Sequence, residues 1–270
     1  MVITSSSMFL FPTASSLLVT IMSIINLLSL TAAGYMEMSG KNKQYAKFCD
    51  SNASKNPKDD KNFHLKSKNG MLLFYTPSYV VAIASLAIFP HQNLRFLMVL
   101  YAITIHFFKR IVEVMFVHKF SGSMMLDAAT TIGLSYAVSI STVIYAQYLS
   151  MEFPEPCMDL KYIGLAMFLV GIVGNFYHHY ILSNLRKNGD KAYKIPKGGL
   201  FDLVICPHYL FEIVGFIGVL CIAQTMSMFC YTLGTIFLLM GRSHATRKWY
   251  VSKFGEKFPK DVKAIIPHLF

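Results

Sequence analysis

The densest group of polar side chains in this chain has residue types that could hold an anionic ligand and donate a proton. Gly198-Gly199 permits a tight turn, and Pro207 removes one helical hydrogen bond just before the polar cluster. Such a break is tolerated at membrane depth where it lines a cavity. The alternative is a simple proline kink, with Glu212 bonded to a neighbouring helix. The group comprises Tyr193, Lys194, Lys197, His208, Tyr209 and Glu212.

A second group lies at the end of the preceding apolar stretch and contains Asn175, His178 and His179. Paired histidines could bind a metal, but a membrane metal centre needs several clustered histidines, and only His208 is otherwise placed nearby. We therefore predict hydrogen bonding to a ligand and no metal site.

A third group, His106, Lys109, Arg110 and Glu113, lies in another apolar stretch. Ionisable groups at membrane depth are costly and need a partner, a water-filled cavity or a ligand. Two interpretations stay open. Either Glu113 pairs with Lys109 or Arg110 at helical spacing, or Arg110 faces an anionic ligand.

The composition indicates the elements that position these groups. Of 270 residues, 54% are hydrophobic and only 14% are charged, which is too apolar for an ordinary soluble domain. The net charge of +11 flanks apolar stretches, so it predicts a membrane surface and no nucleic acid. Five cysteines without a C-x-x-C pair indicate neither a disulfide framework nor a zinc site.

Apolar stretches of about 20 residues predict an all-α fold with seven transmembrane helices. Of the 25 Lys and Arg residues, 23 lie in four basic segments that fall in alternate gaps, and the other two are Arg95 and Lys161. The basic segments are 34–70, 109–119, 186–197 and 242–263. Basic residues collect on the cytosolic side, so we expect a lumenal N-terminus and a cytosolic C-terminus. Residues 34–70 form the predicted basic cytosolic loop of one domain covering residues 1–270. The predicted spans are 8–33, 71–90, 94–117, 126–149, 160–182, 200–223 and 226–241.

The C-terminal part of the chain resembles the steroid 5α-reductase family, the 3-oxo-5-alpha-steroid 4-dehydrogenases. These are membrane reductases of carbon–carbon double bonds that use NADPH. The segments 106–110 and 116–121 are more similar to the very-long-chain enoyl-CoA reductase branch of that family. The family likeness lies in Asn175, Leu185-Arg186, Tyr193 to Phe201, Cys206 to Tyr209, Glu212, Arg247 to Tyr250 and Ile265 to Pro267.

The resemblance implies NADPH bound within the helical bundle, chiefly by residues 160–270, in a multi-pass protein of the endoplasmic reticulum. Basic side chains at the cytosolic rim suit phosphates, and an amide and a carboxylate deeper in the bundle suit a carboxamide. Arg110 is added as a candidate for the anionic ligand. The implied cofactor residues are Asn175, Arg186, Tyr193, Lys194, His208, Glu212 and Tyr250.

Two departures concern the substrate. Tyr75 and Phe107 occupy the positions where steroid-reducing members have a glutamate and a tyrosine that engage the ketone, and Arg247 replaces an expected histidine. Tyr209 is the preferred proton donor, with Tyr75 as the alternative because a phenol can donate to a carbonyl. A 3-oxo-Δ4-steroid is the favoured lipid substrate.

Other functions stay open beside this one. The first is reduction of a trans-2-enoyl thioester in very-long-chain fatty acid elongation. An isoprenylcysteine-type methyltransferase would use a similar bundle and a Pro-x-Tyr segment to bind an adenosyl cofactor. A non-catalytic scaffold or transporter would use its buried polar residues for helix packing alone.

Overall fold

The computed structural model describes residues 9–12, 16–40, 63–90, 92–120, 122–185, 193–267 and 269–270. These residues form seven α-helices and one short antiparallel sheet, so the predicted helical fold class is confirmed. The sheet pairs β1 (His64–Lys66) with β2 (Ser123–Met125). The helices are α1 Leu17–Ser39, α2 Ser67–Ile88, α3 Leu94–Val112, α4 Leu126–Ser150, α5 Lys161–Asn184, α6 Pro207–Ala223 and α7 Met226–Phe254.

The first helix lies further along the chain than predicted. The Ser16 side chain accepts a hydrogen bond from the Val19 backbone N–H and caps α1, while Gly40 ends the helix with a φ of 72°. Residues 34–39 are therefore helical, although we predicted that they belong to the basic loop. Residues 41–62 of that loop lie outside the described residues.

The sixth helix begins at Pro207, so Pro207 does not interrupt a helix inside the predicted span 200–223, either as a break that lines a cavity or as a simple kink. Proline at the first helical position loses no hydrogen bond, because that N–H has no intrahelical partner. The break precedes the helix and consists of a 3₁₀ turn at Gly199–Asp202 followed by irregular chain. The predicted tight turn is present, since Gly198 and Gly199 have φ values of 88° and 57°.

Four helices, α1, α2, α4 and α5, are long and apolar enough to cross a membrane. The other three depart from that pattern for identifiable reasons. α3 carries Arg95, Lys109 and Arg110, α6 is short, and α7 is apolar at its start but basic towards its end. The number of seven spans and the orientation of the termini stay predictions.

A buried arginine ties several connections together at one end of the bundle. Arg95 is only 2% exposed, and its guanidinium bonds Glu155, Asp159 and the Ile222 carbonyl oxygen. It also donates to Gln224 Oε1 at 2.9 Å. The starts of α3, α5 and α7 meet at this end of the bundle. Arg95, the arginine outside the four basic segments, therefore has a structural role.

Helices α5 and α6 pack against each other through small residues. A Cβ added to Gly171 would lie 2.4 Å from the Gly215 backbone nitrogen, whereas one added to Gly215 would have its nearest contact at 3.8 Å. The crossing lies one turn from Asn175 on α5 and from Glu212 on α6. The close approach of the two backbones therefore sets the distance between these two polar side chains.

Gly171→Ala should lower the free energy of unfolding by about 1–3 kcal/mol, because it overpacks the α5–α6 contact. Gly215→Ala, on the facing helix, is the matched control and should be neutral or slightly stabilising. Thermal unfolding of the two purified variants in the same detergent measures the difference. Equal midpoints for both variants would contradict the close contact.

Candidate active site

Glu113 is the centre of a buried ion cluster between α3 and α5. It begins a π-helical turn, Glu113–Val117, and is fully buried. Its carboxylate accepts from Lys109 Nζ at 2.7 Å and from Arg110 Nη1 at 2.8 Å, and lies 3.0 Å from His179 Nδ1. The predicted pairing of Glu113 with Lys109 or Arg110 is present, with both partners.

Arg110 extends this cluster to α2. Its Nη2 donates to the Tyr75 hydroxyl at 2.7 Å, and its guanidinium lies 4.8 Å from the centre of the Tyr75 ring. Because the hydroxyl accepts this hydrogen bond, its own proton stays available for another acceptor. The Arg110 Nε is buried and has no acceptor within the described part of the chain.

Lys109 extends the cluster to α6 through Asn175. The Lys109 ammonium donates to the Asn175 side-chain oxygen. Asn175 Nδ2 donates to the His208 carbonyl oxygen at 2.7 Å and to Glu212 Oε2 at 3.3 Å. One chain of hydrogen bonds therefore connects Tyr75, Arg110, Asn175 and Glu212, all predicted site residues.

Tyr209 belongs to a second, partly buried cluster, which sequence reasoning missed. Arg242 Nε donates to the Tyr209 hydroxyl at 3.0 Å, and Arg242 Nη1 donates to Glu37 Oε1 at 2.9 Å. Glu37 and Arg242 fell just outside the predicted spans, so both were assigned to solvated segments. The sequence feature that could have indicated this cluster is Glu37, which is the first acidic residue in the chain.

A cavity of about 290 Å³ lies where these helix ends meet. Four predicted residues, Tyr193, Lys194, Tyr209 and Tyr250, line it together with Lys119 and Arg242. Arg186 lies outside the described residues, although its neighbour Leu185 lines the cavity. Its other lining residues are Ser67, His118, Phe120, Gly122, Leu182 and Ser183.

Aromatic side chains hold Tyr193 and Lys194 against α7. The Tyr193 ring lies 4.7 Å from the Trp249 ring, and Lys253 Nζ lies 5.0 Å from the Tyr193 ring centre. The Tyr250 hydroxyl donates to the Lys194 carbonyl oxygen at 3.5 Å. Lys194 is thus held at the rim of the cavity.

The three histidines have different surroundings. His178 Nδ1 lies 2.7 Å from the Gly174 carbonyl oxygen, and His178 Nε2 accepts from the Leu200 N–H at 3.1 Å, so His178 holds the turn at Gly198-Gly199. The His179 and His208 rings are 5.1 Å apart.

Glu113, His118 and His179 present ligand-type atoms within 4.8 Å of one another. The carboxylate of Glu113 is already neutralised by Lys109 and Arg110, which would repel a cation. Burial, with smaller contributions from His179 and Arg110, lowers the pKa of His118 to about 2. This imidazole is therefore neutral near pH 7 and adds no positive charge to the cluster. The absence of a metal stays a prediction.

Arg247 does not line the cavity. Its Nε donates to the Val262 carbonyl oxygen at 2.7 Å and its Nη2 to that of Lys260 at 3.1 Å. It therefore fastens the C-terminal segment to α7. His244, close by in sequence, stacks on Phe270 at 6.1 Å between ring centres. Phe107, at the position where steroid-reducing members have a tyrosine, is a core residue with 2% exposure.

The family comparison covers the half of the chain that supplies most of the lining of this cavity. The family model described as 3-oxo-5-alpha-steroid 4-dehydrogenase matches residues 124–270, more than half of the chain. Steroid 5-alpha-reductase DET2 of Gossypium hirsutum is 44% identical over 107 residues, which is 40% of this chain and 42% of the relative. The human 3-oxo-5-alpha-steroid 4-dehydrogenase 1 is 40% identical over 108 residues, or 40% and 41% of the two chains.

A longer match is found with an enoyl reductase. The very-long-chain enoyl-CoA reductase of Dictyostelium discoideum is 34% identical over 175 residues, or 62% of this chain and 55% of the relative. The chain thus matches about half the length of these relatives.

Proposed function

Because the chain belongs to the 3-oxo-5-alpha-steroid 4-dehydrogenase family, we propose that it reduces the carbon–carbon double bond of an α,β-unsaturated carbonyl lipid with NADPH. The observation that carries this proposal is the cavity at Tyr209. Its lining from α5, α6 and α7 lies inside the segment that the family model matches. The polar side chains of these helices are held by defined partners, as a pre-organised site requires.

The residues present fit this cofactor. Lys119, Lys194 and Arg242 supply positive charge for phosphates around the cavity, and Tyr193 and Tyr250 supply flat apolar surfaces. Asn175 and Glu212 do not line the cavity, but Glu212 lies one helical turn along α6 from Tyr209, and the pair offers an amide and a carboxylate that suit a carboxamide. The unpaired Arg110 Nε is a further donor for an acceptor that the described chain does not supply. Arg186 and His208 complete the proposed set.

NADPH, when bound, supplies the hydride for the β-carbon. The chain must then polarise the carbonyl and deliver a proton to the other carbon. Tyr209 lines the cavity, and Arg242 bonds its oxygen, so the phenolic proton is free to be donated. Tyr75 accepts from Arg110 in the same way, and it is our candidate donor to the carbonyl oxygen. We assign proton donation to Tyr209 and polarisation to Tyr75.

The substrate we favour is a 3-oxo-Δ4-steroid, on the higher identity to the plant steroid 5-alpha-reductase. A trans-2-enoyl thioester is the second candidate. It is supported by the longer match to the enoyl-CoA reductase and by Tyr75 and Phe107 at the positions of the ketone-binding pair.

Incubation of the purified chain with NADPH and each substrate tests the function. We expect NADPH oxidation and a product two mass units heavier with a 3-oxo-Δ4-steroid. A product two mass units heavier with a long-chain trans-2-enoyl-CoA, and none with the steroid, would make the enoyl thioester the substrate. Binding of S-adenosylmethionine without any NADPH oxidation would favour a methyltransferase and contradict the proposal.

We also propose a multi-pass arrangement in the endoplasmic reticulum membrane, with the cavity open to the cytosol. The end of α1, the start of α2 and the end of α5 all lie near the cavity, through Glu37, Ser67 and Leu185. The start of α3 and the turn between α6 and α7 meet at Arg95, at the other end. This alternation of helix ends supports the multi-pass arrangement, and the basic side chains around the cavity support its opening to the cytosol.

A further inference from the structure

A second cavity, of about 230 Å³, lies between α1, α4 and α7 at the opposite end of the bundle. Ser227 and Arg242 are both on α7 and are separated by about 22 Å at a rise of about 1.5 Å per residue. No residue assigned above to the cofactor or to proton transfer lines this cavity. Its lining residues are Pro12, Val19, Thr20, Ser23, Ile24, Ala146, Ser150, Thr225, Met226, Ser227 and Cys230.

The lining is apolar with a few hydroxyl groups, and none of the described lining residues carries a charge. The hydroxyls of Ser23 and Ser150 donate to the Val19 and Gln147 carbonyl oxygens within their own helices. Ser227 differs. It is 2% exposed, and its Oγ has no hydrogen-bond partner within the described ranges.

An unpaired buried hydroxyl is unfavourable, because it has lost its bonds to water without replacement. Ser227 lines the cavity, but its Oγ is itself buried, so a ligand that enters supplies the missing partner once the hydroxyl turns towards the cavity about χ1. A hydroxyl or carbonyl group on the ligand suffices. A charged head group would find no counter-charge in this lining.

The cavity opens sideways towards the surface of the bundle. Ile24 and Met226 line it, yet they are 50% and 41% exposed. Both lie on apolar helix surface that would face acyl chains. The volume exceeds the roughly 150 Å³ of an apolar cavity that binds benzene, so it holds more than one ring or a length of chain.

We propose that this cavity is a second lipid site, which binds an uncharged lipid with one hydroxyl or keto group on an apolar body. The polar group bonds Ser227 Oγ, and the apolar body lies along Ile24 and Met226. The site is separate from the proposed reductase site and does not depend on that activity.

Photo-crosslinking of the full-length chain in nanodiscs tests the proposal. The probe is cholesterol bearing a diazirine and an alkyne, and phosphatidylcholine with a diazirine in its acyl chain is the comparison. We expect the cholesterol probe to label peptides around 19–24 and 226–230, and excess unlabelled cholesterol to prevent this labelling. Labelling spread evenly over the lipid-facing surface, or insensitive to competition, would overturn the proposal.

Two pairs of variants locate the site. Ile24→Trp should fill the mouth of the cavity and reduce labelling by about five-fold or more, whereas Ile25→Trp should not, since Ile25 is 47% exposed and does not line the cavity. Ser227→Ala should weaken binding of the cholesterol probe about five-fold, as expected for one neutral hydrogen bond. Ser141→Ala, at an exposed serine on α4, is its control.

Thermal unfolding distinguishes a lost site from a misfolded variant. If both tryptophan variants fold and label equally, or if the phosphatidylcholine probe labels the same peptides as strongly, the cavity holds acyl chains without selection and the proposal fails.

Discussion

Glu212→Ala should raise the Kd for NADPH by about ten-fold or more. Asn175 is 3% exposed, and its Nδ2 donates to the Glu212 carboxylate at 3.3 Å. Removing the carboxylate takes away a proposed hydrogen-bond partner of the cofactor, and a cofactor donor buried without its partner in the complex costs about 1–3 kcal/mol. Titration of the purified protein with NADPH, followed by fluorescence, measures the change.

Glu256→Ala is the matched control, because Glu256 is an exposed glutamate in the turn after α7. It should bind NADPH as the unmodified chain does. Glu212→Gln keeps an acceptor oxygen and should fall between the two. If Glu212→Ala binds NADPH with unchanged Kd, Glu212 does not belong to the cofactor site.

Tyr209→Phe should lower turnover by about 10²-fold or more while leaving the Kd for NADPH unchanged. The substitution removes the proton that we assign to the reaction, and general acid catalysis typically contributes about 10²–10⁴-fold. The change in buried volume is small, and Arg242 keeps its ion pair with Glu37. Single-turnover rates with saturating NADPH measure the effect on chemistry.

Tyr101→Phe serves as the control, since Tyr101 is 54% exposed on the outer surface of α3. A turnover for Tyr209→Phe equal to that of Tyr101→Phe would remove Tyr209 from proton transfer. In that event Tyr75→Phe should show the larger loss, because Tyr75 is the other phenol held by an arginine.

Hydrophobic patterning located α2, α4 and α5 well, since each is a long apolar run bounded by polar residues. It placed the start of α1 too early and ran its sixth span through the break before α6. The start of α1 depends on one hydrogen bond from Val19 to Ser16, and that of α6 on the docking of 203–206 against 263–264. Such local or long-range bonds leave little trace in hydropathy.

The contacts in the site likewise include some that could be predicted from the sequence and some that could not. Asn175 and Glu212 could be predicted together from the family resemblance, and the structure brings them into contact. The link from Tyr209 through Arg242 to Glu37 could not, because Glu37 and Arg242 are 205 positions apart and neither lies in a segment that carries the family resemblance. Their pairing depends on how α1, α6 and α7 pack, which side-chain spacing within one helix does not encode.

Amide hydrogen exchange of the full-length chain, with and without NADPH, tests the central claim most directly. Our account predicts that NADPH slows exchange in peptides covering 118–122, 182–197 and 242–254, around the cavity at Tyr209. Peptides at 226–230, beside the second cavity, should be unaffected. If NADPH leaves exchange around Tyr209 unchanged, or protects only the opposite end of the bundle, the assignment of this cavity to the cofactor is wrong.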